Sequence, residues 1–127
     1  SRKFRVTEAY KEVKGTGKTF NQKVLDTMKN PNYKEYPGID CSEIAEDLYN
    51  ASGKNGKIYN IEGKNGTIKG YEYGKIEPYD YHHVYSDGEY IFDPRYSNTP
   101  VLKGDYFREL SKINPDGFNV FELKNLP

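Results

Sequence analysis

The sequence predicts a single α+β domain, with helices packed on one face of a small antiparallel sheet. Three observations carry the expectation. Apolar residues recur at helical spacing, first at Phe20, Val24, Leu25 and Met28 and then at Cys41, Ile44, Ala45 and Leu48. From Gly53 to Pro94 the period changes to alternation punctuated by Asn-Gly and Asp-Gly, the signature of a β-meander. The chain is 127 residues long and no linker divides it, a length suited to one hydrophobic core.

Taken in order, residues 1–18 are charged, with glycines at 15 and 17, and read as a loosely attached lead-in to a domain spanning 19–127. A short helix begins at Phe20 and ends in "KNPN", where Pro31 stops it. A second helix follows Pro37-Gly38 and closes at Ser52-Gly53. The tetrapeptide "GKNG" occurs at Gly53 and again at Gly63, which reads as one hairpin-turn chemistry used twice rather than a duplicated unit. After the strands a helix is expected over "GDYFRELSK", with Asp105 in its first turn, and "NPDG" turns the chain into a last strand, "FNVFEL".

Composition excludes several function classes. Lys+Arg and Asp+Glu both number 19, so no net charge holds the chain on a polyanion or an acidic membrane, and nucleic-acid binding is not implied. Thirteen tyrosines and six phenylalanines supply much of the apolar mass while keeping polar tips for water. A single cysteine forms no internal disulfide and has no companion for a thiolate metal site. No apolar run approaches the ~18 residues that span a bilayer, and no signal-peptide core precedes the domain. A soluble monomer without cofactor is expected. The first residue is Ser1 rather than methionine, which suggests a module released from a longer polypeptide.

The cysteine stands where a helix begins, in "YPGIDCSEIAEDLYNASG". Asp40 as N-cap and Glu43 three residues later form a variant capping box, which puts Cys41 in the first turn. Unpaired N–H groups and the positive helix end favour an anion there and could hold an oxyanion on an attacked carbonyl. The carboxylates of Asp40 and Glu43 oppose that effect, so a histidine must supply the activation. Without one, Cys41 is simply a small core residue.

Both histidines lie in "YDYHHVYSDGEYIFDPRY". With Asp87-Gly88 as a two-residue turn, Ser86 pairs with Glu89, Val84 with Ile91 and His82 with Asp93. His82, Val84, Ile91 and Asp93 then share one face, and His83, Tyr85, Tyr90 and Phe92 the other. An imidazole beside a carboxylate is the base and orienter that a cysteine nucleophile needs. Adjacent strand residues point to opposite faces, so His82 and His83 do not share one metal ion.

The order of cysteine at a helix start ("GIDCSEIAEDL"), histidine on a strand ("YDYHHVY") and aspartate before proline ("YIFDPRY") resembles the papain-like and transglutaminase-like cysteine enzymes. More narrowly it is similar to the papain-fold toxin domains at the C-termini of bacterial polymorphic toxins. The resemblance covers about Pro37 to Leu110 and includes "NTPVLKGDYFREL". It implies Cys41 as nucleophile, His82 as general base and then acid, and Asp93 as the residue orienting the imidazole. It also implies a peptidase or protein-glutamine deamidase, delivered as part of a larger toxin into a target-cell cytoplasm, with a protein substrate and a cognate immunity protein as partners. One departure concerns the oxyanion hole. Papain-like proteases carry a glutamine shortly before the cysteine, where this chain has Tyr36, Pro37, Gly38, Ile39 and Asp40; Gln22, Asn21 or backbone N–H groups are the alternatives. Two rival readings are an RNase toxin using His82 or His83, and a binding module that uses its tyrosines for contact.

Overall fold

The computed structural model describes residues 10–126. They form β1 (Tyr10–Val13), β2 (Lys18–Asn21), α1 (Gln22–Met28), α2 (Asn32–Glu35), α3 (Cys41–Ala51), β3 (Lys57–Gly63), β4 (Ile68–Glu72), β5 (Lys75–Tyr79), β6 (His82–Ser86), β7 (Tyr90–Phe92), β8 (Val101–Leu102), α4 (Lys103–Lys112) and β9 (Phe118–Glu122). The α+β class holds. A five-stranded antiparallel sheet in the order β8-β7-β6-β3-β9 is its centre, with β1-β2 and β4-β5 as separate two-stranded ribbons.

The entry to the domain differs from the expected lead-in. Residues 1–9 lie outside the described region, but Tyr10–Val13 pairs with Lys18–Asn21, so the stretch from 10 to 18 is a hairpin rather than a loose segment. Gly15 and Gly17 take positive φ in its turn. Phe20 lies in β2 instead of opening a helix, and its ring stands edge-to-face on Tyr90 and Phe92 at 4.9 and 5.8 Å between centroids. The helix begins two residues later, at Gln22, because Asn21 caps it, its Oδ1 accepting the N–H groups of Lys23 and Val24.

The region expected as a meander is not one. β3 pairs with β6, from Lys57↔Ser86 to Ile61↔His82, and the intervening β4-β5 hairpin leaves the sheet. Alternation is a local signal and does not name the pairing partner. The departure happens at Gly63, where a Cβ would stand 1.9 Å from the Thr67 carbonyl oxygen. The first "GKNG", at Gly53, also differs from expectation: it connects α3 to β3, and only the second joins two strands.

Helices cover both faces of the sheet rather than one. On one side Tyr85, Tyr90 and Phe92 pack with Phe20, Val24, Leu25 and Met28 and with Ile44 and Leu48 of α3. On the other, Val84 and Ile91 pack with Tyr59, Ile61 and Ile68 and with Tyr106 and Leu110 of α4. The cause lies in β6 and β7, which put Val84 and Ile91 on one face and Tyr85, Tyr90 and Phe92 on the other; a sheet of that kind needs cover on each side. Among the described residues no helix is long and apolar enough to cross a membrane.

Two alanine substitutions test this backbone account by urea denaturation. Gly63→Ala forces a side chain into the Thr67 carbonyl and is expected to cost about 3 kcal/mol. Gly66→Ala, in open space at φ 95°, is expected to cost only about 1 kcal/mol for the left-handed backbone. Equal losses would contradict the close approach at Gly63.

Candidate active site

Cys41 is the first residue of α3, and its place there follows from Asp40. The Asp40 backbone is extended (φ −91°, ψ 176°) and its Oδ1 accepts the N–H groups of Ser42 and Glu43 at 3.0 and 3.1 Å and the Ser42 hydroxyl at 2.6 Å. The Ser42 hydroxyl bond does most to hold the Asp40 carboxyl below its usual pKa. The capping box is one-sided, since among the described residues Glu43 makes no return bond to the Asp40 N–H. Cys41, Ile44, Ala45 and Leu48 form the buried face of the helix.

The sulfur occupies a gap in the sheet. Pairing of β6 with β7 is confined to Tyr85↔Phe92 and Ser86↔Ile91, and beyond those residues the strands separate. That separation leaves backbone groups at the start of β6 without a strand partner on this side. Cys41 meets them: the His83 N–H donates to Sγ at 3.4 Å, and the Tyr81 carbonyl oxygen lies 4.0 Å from it.

The hairpin register differs by two residues from the expected one. Asp87 Oδ1 accepts the N–H groups of both Glu89 and Tyr90, which places Gly88 and Glu89 at the tip and sets Ser86 opposite Ile91. A two-residue shift preserves side-chain parity, so His82 and Asp93 keep a common face although they are not cross-strand partners. Asp93 lies just past β7, where its carbonyl accepts the N–H groups of Tyr96 and Ser97, and its carboxylate reaches His82 with Nε2 and Oδ2 2.9 Å apart.

The pair is buried. His82 is 2% exposed and Asp93 6%, against 6% for Cys41. The Tyr106 hydroxyl donates to the same Oδ2 at 2.6 Å, the Arg95 N–H donates to Oδ1 at 3.1 Å, and Tyr79 stacks on the imidazole at 5.7 Å. Burial alone would lower the His82 pKa; the Asp93 charge and hydrogen bond, with a smaller contribution from Cys41, instead raise it to about 10. Burial would likewise raise Asp93, but the His82 charge, the ring hydrogen bond and the Tyr106 hydroxyl hold its carboxyl below its ordinary value. His82 is therefore an imidazolium at neutral pH. Its Nδ1 is buried with no partner at ordinary hydrogen-bond geometry, and Cys41 is still close enough to raise the ring through attraction of both hydrogen-bond and charge character.

His83 does not join this pair. It lies on the opposite face, half-buried, with its pKa lowered first by burial and then by the His82 charge, against smaller opposing effects of Asp40 and Glu62. The side-chain oxyanion candidates serve their own helix: Gln22 Nε2 donates to Asp26 at 3.0 Å and Asn21 caps α1. Asp40 takes two of the first-turn amides of α3, and the Cys41 N–H is the one it leaves.

Three residues that sequence reasoning missed complete the site. Tyr106 and Tyr79 reach it because α4 and the β4-β5 hairpin cover the face opposite α3, an arrangement with no local signal in the sequence. Arg95 had a signal, as a charged residue directly after the Asp93-Pro94 turn. It is buried, and its Nη2 donates to the Ile39 carbonyl, tying the segment before Cys41 to the Asp93 turn. The cavity between Cys41, His82 and Asp93 measures about 10 Å³, room for one water. Among the described residues no group of three or more His, Cys, Asp or Glu could hold a metal ion.

Against known protein families, curated proteins and solved structures, the chain shows no significant match.

The ion pair has a pH signature. A histidine raised from 6.5 to about 10 contributes stability that is full below pH 6.5 and is lost as pH rises through about 10. Asp93→Asn removes the counter-charge and leaves burial to dominate, so stability then rises with pH up to neutrality, from a level lower by on the order of 3 kcal/mol. Urea denaturation across pH 5 to 10 checks the sign, and parallel profiles for the two proteins would contradict it.

Proposed function

We propose that the chain is a cysteine-dependent amide-bond hydrolase of papain-like or transglutaminase-like design, acting on a protein as a peptidase or glutamine deamidase. The observation that carries the reading is a buried imidazole held to a carboxylate through Nε2, with its Nδ1 lacking a partner at ordinary hydrogen-bond geometry beside the only thiol of the chain. An imidazole held this way has one free nitrogen and one place to use it.

In the proposed reaction Cys41 attacks as a thiolate while His82 carries the proton. Sγ attacks the amide carbon, the carbonyl oxygen becomes an oxyanion, and the Cys41 N–H is the donor available to it. Collapse breaks the C–N bond as the imidazolium gives its proton to the leaving nitrogen, releasing ammonia or an amine and leaving a thioester. Neutral His82 then takes a proton from water, hydroxide adds to the thioester, and Cys41 leaves as thiolate with the imidazolium restored. Asp93 keeps the ring oriented through both halves, and Tyr106 and the Arg95 N–H keep Asp93 ionised and in place. A cavity of about 10 Å³ admits no amide, so reaction requires local opening; residues 36–40, outside any helix or strand and tethered at Ile39, are the segment best placed to move.

Delivery into a target cell with a cognate immunity protein covering the site belongs to the same proposal. A nuclease has less support, because His82 is enclosed in its ion pair and His83 faces the other way.

Expression in a bacterial cytosol tests the reading without a known substrate. The unaltered chain is expected to arrest growth, and Cys41→Ala, with an unchanged circular dichroism spectrum, to lose activity by about a thousandfold or more. Intact masses of the affected proteins separate the outcomes: truncated species mark proteolysis and the small mass gain of amide-to-acid conversion marks deamidation. Full toxicity of Cys41→Ala would end the hydrolase reading.

A further inference from the structure

A second cavity adjoins the thiol site and shares Pro94 and Arg95 with it. It measures about 460 Å³ and lies between the end of α1, α2, the β4-β5 turn and the segment that follows Asp93. Its charged lining is one-sided. Lys29, Lys34 and Arg95 border it and no acidic residue does, in a chain whose charges sum to zero. Arg95 is 4% exposed, and its Nε is buried with no hydrogen-bond partner. Glu72 forms an ion pair with that nitrogen at 3.8 Å, too long for a hydrogen bond, and lines the neighbouring cavity. The charge is thus partly answered, but the Nε–H stays without a hydrogen bond in a dry setting, which is costly unless an acceptor arrives.

The β4-β5 turn is held as a wall of this cavity. Tyr73 takes a left-handed backbone (φ 52°), uncommon for a side chain of its size, and its N–H donates to the Arg95 carbonyl at 2.7 Å. Lys34 Nζ lies 5.5 Å from the Tyr73 ring centroid, which keeps its charge at the cavity rim.

We propose that this cavity is an anion subsite of the active site, taking an acidic side chain that flanks the amide attacked at Cys41. Its role as a substrate subsite rests on the hydrolase reading; its chemistry as a carboxylate site does not. The volume suits one or two side chains. A nucleic-acid strand would instead need cations tracking a series of phosphates, and the zero net charge of the chain gives no wider field for one.

The test reads binding rather than turnover, in the whole chain carrying Cys41→Ala. Acetyl-Glu-Glu-amide is titrated into labelled protein at low salt and followed by NMR, with acetyl-Gln-Gln-amide and a uridine octamer as comparisons. Saturable shifts are expected at Lys29, Asn30, Tyr73, Ser97 and the Arg95 Nε–H. Binding of the Gln peptide, or of the Glu peptide to Lys29→Glu/Lys34→Glu, is expected to be weaker by about tenfold or more. Both lysines are exposed, so the double variant keeps the fold. Absent or non-saturable shifts, equal binding of both peptides, or tighter binding of the octamer at the same residues would each overturn the proposal. The two readings fail separately: toxic Cys41→Ala with intact peptide binding removes the hydrolase, and inactive Cys41→Ala without peptide binding removes the subsite.

Discussion

One buried charge pair organises the site. His82 and Asp93 stand 2.9 Å apart with almost no exposure, and two ions in such a setting need further hydrogen bonds to offset the loss of water. Asp93 gains them from the Tyr106 hydroxyl on one oxygen and the Arg95 N–H on the other. Each partner enlists a different part of the fold: Tyr106 requires α4 on its face of the sheet, and Arg95 requires the turn that leaves β7. The pair is thus a constraint on the whole arrangement, because moving either element leaves a buried charge without compensation.

The same constraint accounts for where the thiol sits. The turn carrying Asp93 and Arg95 pulls the chain away from β6, opening the sheet at Tyr81 and His83. Asp40 starts α3 at that opening, and the sulfur takes up the edge groups that a continuing strand would have bonded. Arg95 then ties Ile39 back to the turn. Cysteine, base and orienter come from three elements, but one break in strand pairing brings them together.

Much of this was legible in the sequence, for identifiable reasons. The α3 start was readable because a capping carboxylate precedes a run of helical period, and both signals are local. The shared face of His82 and Asp93 was readable because strand parity survives a register error of two residues; the register itself was not, since it depends on Asp87 taking two amides of its own turn. The departure of β4-β5 turned on the close approach at Gly63, and the placement of α4 opposite α3 on apolar residues filling both faces of β6 and β7. Tyr106 and Tyr79 joined the site through those tertiary choices, so no local pattern announced them. Arg95 lay in plain view as a charge beside the Asp93 turn, and only its burial revealed its use.

The charge state of one ring decides whether His82 can serve as the acid. Selective ¹⁵N labelling of histidine and NMR at neutral pH report the protonation of Nδ1 and Nε2 of His82 directly. The account predicts both nitrogens protonated, as an imidazolium held by Asp93, with deprotonation only near pH 10. A neutral ring with a single protonated nitrogen at pH 7 would contradict it.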